Sequence, residues 1–122
     1  AFLAGRAALH LGTGRVYLGL VDPAAPGFDP LQPELMLRRP DALFSAGLTA
    51  LACGPGLGTD PARTALLERA CALDLPLLLD ADALNLLARE GNLEIAVASR
   101  RAPTLLTPHP AEAARLLDSD VA

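Results

Sequence analysis

The sequence contains no lysine and no tryptophan, and only four aromatic side chains occur among its 122 residues. All ten Lys and Arg positions are arginines, which excludes a P-loop lysine or a Schiff-base lysine from this stretch. Few aromatic rings are available for stacking on bases, and the formal net charge is −4. We therefore expect no nucleic-acid partner.

Cysteine and long apolar runs are scarce as well. Cys53 and Cys71 match no zinc-binding spacing, and their apolar surroundings predict buried free thiols, as in a reducing cytoplasm. No apolar run approaches the about 20 residues of a membrane-spanning helix, so no membrane partner is expected. A hydrophobic content of 52% with 20% charged residues instead indicates a globular domain. Both ends of the chain fall beside predicted helices, and we expect an internal fragment of a longer domain.

Helical and strand patterns alternate along the chain. The patterns predict helices at residues 1–11, 41–46, 61–73, 83–89, 93–99 and 110–117. They predict strands at residues 15–21, 48–53, 77–79 and 104–106. Five prolines in residues 22–40 indicate a loop with one short turn. This alternation is typical of a parallel, doubly wound α/β sheet. Arg100 and Arg101 are assigned to a solvent-exposed pair before the last strand.

Three glycines at alternate positions follow the strand at residues 48–53. Gly54, Gly56 and Gly58 expose bare backbone just before Asp60, a favoured N-cap, and Pro61, which suits the first helical position. Glycines let a ligand approach the backbone, and a helix N-terminus presents free N–H groups. The segment matches neither the dinucleotide fingerprint nor the P-loop. A ligand cradle and a tight strand-to-helix connection both remain open.

Polar residues also follow the two later strands, and ligands bind at this edge of open α/β sheets. Asp80 ends an apolar strand, where a carboxylate is costly without a partner. It either binds a ligand hydroxyl or a metal-held phosphate, or it accepts backbone N–H bonds. Asp82 is assigned to capping the helix at residues 83–89.

His109 and Glu112 stand at the third of these junctions. His109 lies between two prolines, so its backbone is stiff, as suits a residue that contacts a ligand or phosphate. The alternative is a loop histidine satisfied by its surroundings. Glu112 lies in the first turn of its helix, where it either compensates the dipole and caps the helix, or orients a metal-bound water or a phosphate.

Residues 54–58, 79–85 and 106–117 together resemble, in order and spacing, the ADP/ATP-dependent NAD(P)H-hydrate dehydratase family. The resemblance spans nearly the whole chain. It implies a three-layer ribokinase-like α/β fold with a mostly parallel central sheet, only part of which is present in residues 1–122. The N-terminal strand and the C-terminal nucleotide-binding half, with the expected catalytic aspartate, would lie outside this stretch.

The resemblance also implies an activity, the return of hydrated NAD(P)H to NAD(P)H with ADP or ATP and Mg²⁺. A nucleotide phosphorylates the hydroxyl on the nicotinamide ring, and phosphate then leaves. Gly54, Gly56, Gly58, Asp80 and His109 would contact the hydrated cofactor, and Glu112 would serve the metal–phosphate network. Ala111 departs from the glycine usual before that glutamate.

Two alternatives stay open at this point. One is a ribokinase-like kinase of a sugar or vitamin precursor, and the other is a non-catalytic fragment that binds a nucleotide. We also expect the protein to be a homo-oligomer located in the cytoplasm.

Overall fold

The computed structural model describes residues 1–120, and the chain divides into two compact units, Ala1–Leu48 and Thr49–Ala122. Helices are interspersed with short strands along the chain, and every strand pair found in the described residues is parallel. The predicted parallel α/β class is therefore confirmed. Among the helices of the described residues, none has the length and apolar character needed to cross a membrane.

The first unit contains a two-stranded sheet with one helix on each side of it in the sequence. Its elements are α1 (Phe2–His10), β1 (Tyr17–Gly19), β2 (Met36–Arg38) and α2 (Pro40–Leu43). Val16, Leu18 and Leu35 form its buried cluster. Gly5 of α1 faces this cluster, where a Cβ would lie 2.8 Å from a methyl group of Leu18. Glycine at this position lets the helix pack closely on the strand, and a larger residue would displace the Leu18 side chain.

The strand β2 lies in the segment predicted as loop, so that prediction is wrong for Met36–Arg38. Residue by residue, β2 pairs with β1, and the Met36 N–H donates to the Val16 carbonyl at 3.0 Å. Three residues among prolines carry too little local pattern to show a strand, because the pairing that creates it comes from a distant segment. Helix α2 also differs from the predicted range of residues 41–46, since it spans Pro40–Leu43 with Arg39 as its N-cap.

The loop between β1 and β2 is held by a charged pair. Arg6 donates to both carboxylate oxygens of Asp29, at 2.7 and 2.8 Å, and the Leu31 N–H donates to the same carboxylate at 3.0 Å. The Asp29 side chain is buried. The hydrogen bond from Arg6 lowers the pKa of Asp29 below its usual value. The folded unit therefore favours the ionised carboxylate.

The second unit contains a three-stranded parallel sheet in the order β3-β4-β5. Its elements are β3 (Leu51–Cys53), α3 (Pro61–Cys71), β4 (Leu77–Leu79), α4 (Asp82–Arg89), α5 (Gly91–Ala98), β5 (Thr104–Leu106) and α6 (Pro110–Leu116). All of these were predicted, with differences at their ends. Its largest fully buried side chains are leucines of the central strand and the helices, namely Leu67, Leu79, Leu84, Leu86 and Leu93.

Arg100 is not the solvated residue that the sequence predicted. Its guanidinium donates to the carbonyls of Leu73 at 2.9 Å and Leu75 at 2.6 Å, and also to the Cys71 carbonyl. Its Nε donates to the Thr104 hydroxyl at 2.8 Å. The last carbonyls of a helix lack intrahelical partners, and a cation near them is favourable. Arg100 therefore joins the end of α3 to β5, while Arg101 is exposed as predicted.

Both cysteines of the second unit are free thiols. Cys71 is buried, as predicted, whereas Cys53 is only partly buried. Burial raises the pKa of Cys53 to about 11 and also raises the pKa of Cys71. Both groups are therefore protonated, weakly reactive thiols at neutral pH.

Candidate functional site

The three strands of the second unit end at one level. Cys53, Leu79 and Leu106 are aligned across the sheet. The first residue after each of the later strands continues the ladder, since the Asp80 N–H donates to Cys53 at 3.1 Å and the Thr107 N–H donates to Leu79 at 3.2 Å. The three polar junctions predicted from the sequence therefore begin side by side on one edge of the sheet.

Gly54 connects the first two junctions through a close backbone contact. Its φ is +136°, and a Cβ at this position would clash with the Asp80 carbonyl oxygen and lie 3.1 Å from the Ala83 Cβ. Only glycine combines this conformation with so close an approach. The missing side chain thus serves the contact between the two strand ends, and contact of Gly54 with a ligand stays a prediction.

Gly56 and Gly58 also have positive φ, +73° and +82°. The Leu57 N–H closes a turn onto the Gly54 carbonyl at 2.9 Å, which leaves Gly56 at the tip. A Cβ at Gly56 would meet no other atom within 4 Å. The backbone at Gly56 is therefore open to an approaching molecule, whereas that at Gly54 is not.

Asp60 caps α3 as predicted. Its carboxylate accepts from the Ala62 N–H at 3.0 Å, and Pro61 occupies the first helical position. The other oxygen of Asp60 pairs with the Arg63 Nε at 3.1 Å. The glycine loop therefore leads into a helix whose start is already hydrogen-bonded by its own residues.

Asp82 does not cap α4, so the capping prediction is wrong. The N-cap of α4 is Ala81 and makes no side-chain capping bond, while the Asp82 Oδ2 accepts from the Gly58 N–H at 2.8 Å. Ala81 has φ 49° and ψ −117°. Such a conformation costs a residue with a Cβ about 1–3 kcal/mol. With this backbone conformation at Ala81, Asp82 lies one position inside the helix, and its carboxylate contacts the glycine loop.

Asp80 is half-buried, and its backbone is fully used: the N–H bonds Cys53, and the carbonyl accepts from Ala83 at 3.1 Å. Within residues 1–120, its carboxylate has no hydrogen-bond partner. The alternative that it accepts backbone N–H bonds is not seen in this part of the chain. The carboxylate is available to a ligand hydroxyl, and that role stays a prediction.

His109 and Glu112 form a reciprocal cap at the start of α6. The His109 Nδ1 accepts from the Ala111 N–H at 3.2 Å, and Glu112 accepts from the His109 N–H at 3.0 Å. Because Nδ1 is an acceptor, the neutral ring carries its proton on Nε2, which lies 3.3 Å from the second Glu112 oxygen. These contacts are the satisfied arrangement that the sequence left open as the alternative for both residues.

Exposure separates the two residues of this cap. The His109 side chain is 60% exposed, whereas that of Glu112 is 8% exposed. A ligand can therefore reach the imidazole with little rearrangement, whereas the Glu112 carboxylate is largely shielded from solvent. In residues 1–120, no group of three His, Cys, Asp or Glu side chains is arranged to hold a metal ion. The assigned roles of His109 and Glu112 stay predictions.

One contact that the sequence did not predict joins the second and third junctions. The Asn85 side-chain oxygen accepts from the Arg115 guanidinium at 2.7 Å, linking α4 to α6. Asn85 lies in the segment 79–85 and Arg115 in the segment 106–117, and both segments belong to the family resemblance. That shared pattern was the signal in the sequence that related the two residues. The spacing of 30 residues gave no local indication of the bond.

Comparisons with known proteins agree on one family. The carbohydrate-kinase family model described as NAD(P)H-hydrate dehydratase matches residues 1–122. The ADP-dependent (S)-NAD(P)H-hydrate dehydratase of Neisseria meningitidis serogroup B is 40% identical over 128 residues, covering 98% of this chain and 42% of the relative. A bifunctional NAD(P)H-hydrate repair enzyme of Coxiella burnetii is 38% identical, covering 94% of this chain and 23% of that protein.

A solved structure is similar over the same range. The ADP/ATP-dependent NAD(P)H-hydrate dehydratase of Bacillus subtilis, co-crystallised with ATP/Mg²⁺ and soaked with CoA, has 31% sequence identity and a TM-score of 0.77. The match covers 99% of this chain and 44% of that one. The chain thus corresponds to part of that fold, as predicted, and it spans less than half the length of these relatives.

Proposed function

Since the chain belongs to the NAD(P)H-hydrate dehydratase family, we propose that the protein containing it uses ADP or ATP to return hydrated NAD(P)H to NAD(P)H. The nucleotide phosphorylates the hydroxyl that hydration adds to the nicotinamide ring, and loss of phosphate restores the ring. The small-molecule substrate is the hydrated cofactor. The Neisseria relative is named as an ADP-dependent and the Bacillus relative as an ADP/ATP-dependent NAD(P)H-hydrate dehydratase, which supports the proposal.

The observation that carries the proposal for this chain is the shared edge of three strand ends. It presents an open backbone at Gly56 and a carboxylate at Asp80 without a hydrogen-bond partner in residues 1–120. Under the proposal, Asp80 accepts a hydrogen bond from a hydroxyl of the hydrated cofactor, and the exposed His109 ring contacts the same ligand. A hydroxyl-bearing ligand suits this edge because a free carboxylate attracts donors and repels anions.

Phosphate groups suit the glycine loop less well. Gly58 already donates its N–H to Asp82, so that donor is not available to a phosphate oxygen. The carboxylate beside the loop also repels an anion. These contacts support a loop that faces the hydrated nicotinamide, while the phosphate donor is held elsewhere in the protein.

Within residues 1–120 no three ligating side chains form a ready-made metal site, so Mg²⁺ would be held by one or two carboxylates together with the nucleotide. Proteins commonly bind this ion through one or two carboxylates together with substrate phosphates, and it neutralises charge on a transferring phosphoryl group. Glu112 is the carboxylate we assign to this network, and it would have to release a contact with His109 to serve it. The nucleotide itself supplies the remaining oxygens.

The proposal extends to the protein as a whole. Residues 1–122 would form part of one ribokinase-like domain, with a strand before them and the nucleotide-binding half, including the catalytic aspartate, after them. A cytoplasmic homo-oligomer is proposed as well, and the two free thiols are compatible with a reducing compartment.

The test is an assay of the full-length protein. Hydrated NADH or NADPH is incubated with Mg²⁺ and either ADP or ATP, and the return of reduced-nicotinamide absorbance is followed against a reaction without nucleotide. We expect nucleotide-dependent recovery. Phosphorylation of a free sugar or vitamin precursor without any recovery would favour the kinase instead. Nucleotide binding without either reaction would favour a non-catalytic protein.

A further inference from the structure

The carboxylate of Asp82 accepts a hydrogen bond from outside its own helix. It accepts from the Gly58 N–H, 24 residues earlier in the chain, at 2.8 Å. An ionised acceptor makes a stronger hydrogen bond than a neutral one. Asp82 therefore fixes the second half of the glycine loop onto the start of α4.

The first half of the same loop is fixed by a different contact. Gly54 lies against the Asp80 carbonyl so closely that no side chain fits, and it accepts from the Leu57 N–H at 2.9 Å. The tip at Gly56 lies between these two attachments and touches nothing within 4 Å of a Cβ position. Glycine backbones have many accessible conformations, so a loop with three of them needs such attachments to keep one shape.

Ala81 indicates that the position of Asp82 is maintained against a local cost. A residue with a Cβ rarely adopts φ 49°, and such strain persists where surrounding contacts over-determine the backbone. The bond to Gly58 is one of these contacts. A carboxylate placed one residue later than an ordinary N-cap is thereby brought to the loop.

We propose that Asp82 is a positioning residue for the proposed reaction: it holds the loop at residues 54–58 in the shape that receives the hydrated nicotinamide ring. The inference rests on the proposed function. Asp82 acts through the Gly58 N–H and does not touch the substrate. It affects substrate binding because the open tip at Gly56 keeps its place only while both halves of the loop are attached.

The test compares three variants of the full-length protein, Asp82→Ala, Asp82→Asn and Asp74→Ala. Asn retains a side-chain oxygen that can accept from Gly58, whereas Ala removes it. Asp74 is an exposed aspartate in the turn after α3, and its replacement is the matched control. We measure KM for the hydrated cofactor, KM for the nucleotide, kcat and the midpoint of thermal unfolding.

A net hydrogen bond to a charged group corresponds to about a tenfold or larger change in an equilibrium constant. Asp82→Ala is accordingly expected to raise KM for the hydrated cofactor about tenfold, with KM for the nucleotide changed less than about threefold. Asp82→Asn should return KM to within about threefold of the original value because the acceptor is restored. Asp74→Ala should change neither constant.

Two outcomes would overturn the assignment. Unchanged kinetics in Asp82→Ala would show that the bond does not matter, and an equal loss for both substrates together with a lower unfolding midpoint would show a merely structural role. Amide hydrogen exchange separates this inference from the proposed function. Suppose that the original protein does not act on the hydrate at all. Faster exchange of the Gly58 amide in Asp82→Ala, but not in the other two variants, still supports the attachment of the loop by Asp82, and unchanged exchange rejects it.

Discussion

The two compact units are stabilised by different means. The first unit has a small buried cluster of three residues and relies on the Arg6–Asp29 pair to hold the long loop between its strands. The second unit has a larger core of leucines around a central strand, and its polar contacts are concentrated at the strand ends. Where apolar burial is sufficient, polar side chains can be used to shape a site.

The largest effect is expected when the core of the second unit is opened. Leu79 on the central strand is fully buried, so Leu79→Ala should lower the free energy of unfolding by about 2–5 kcal/mol. The matched control is Leu105→Ala on β5, where the leucine is 58% exposed and the expected change is within about 0.5 kcal/mol. Denaturant unfolding of the full-length protein measures both. Equal losses would show that burial does not distinguish the two strands.

A smaller loss is expected at the strand ends of the same unit. Gly54→Ala introduces a Cβ that clashes with the Asp80 backbone at a φ that alanine rarely adopts, so we expect a loss of about 1–3 kcal/mol. Gly91→Ala is the control, because Gly91 starts α5 with free space around it and alanine favours a helix. Thermal unfolding of both variants checks the difference. A Gly54 variant as stable as the Gly91 variant would contradict the close contact.

The smallest change is expected from acid titration of the charged pair in the first unit, because protonation removes a charge and leaves the side chain in place. The hydrogen bond from Arg6 lowers the pKa of Asp29 in the folded state. Below the ordinary aspartate pKa of about 3.9, the unfolded chain therefore binds more protons at this group, and stability falls as the pH falls. Above that pH the contribution is fully present.

The comparison for this titration is with Asp29→Asn, which keeps the shape of the side chain. The difference in unfolding midpoint between the original protein and this variant should be largest near neutral pH and should narrow below about pH 4. A difference that stays constant as the pH is lowered would show that the ionised form of Asp29 is not favoured by folding.

Two aspartates that precede helices show how far local sequence reaches. Asp60 and Asp82 both stand before apolar helical patterns, and both were predicted as caps. Asp60 adopts extended φ and ψ of −76° and 162° and caps α3, since Pro61 already fixes the next residue. Asp82 follows the positive φ of Ala81, and its partner Gly58 lies 24 residues away. Rules based on neighbouring residues cannot predict a partner so far away in the sequence.

Arg100 and β2 are two further cases in which contacts with a distant segment decided the structure. The charge of Arg100 predicted exposure to solvent, yet its guanidinium donates to the carbonyls of Cys71, Leu73 and Leu75, at and just after the end of α3. Met36–Arg38 became a strand only through pairing with β1. In both cases the deciding partner is a backbone group from a distant segment. Because nearly every residue carries the same backbone groups, the residue types do not show which of them will become a partner.

For the glycine loop, the sequence alone determined that a bare backbone joins a buried strand to a capped helix, because glycine conformations, N-caps and apolar runs are local properties. It also carried the pattern that identifies the family. Only the tertiary structure decided which glycine does what: Gly54 contacts Asp80, Gly58 is bound by Asp82, and Gly56 stays open. The reason is that parallel strands place residues far apart in the chain on one edge, where their contacts depend on sheet register.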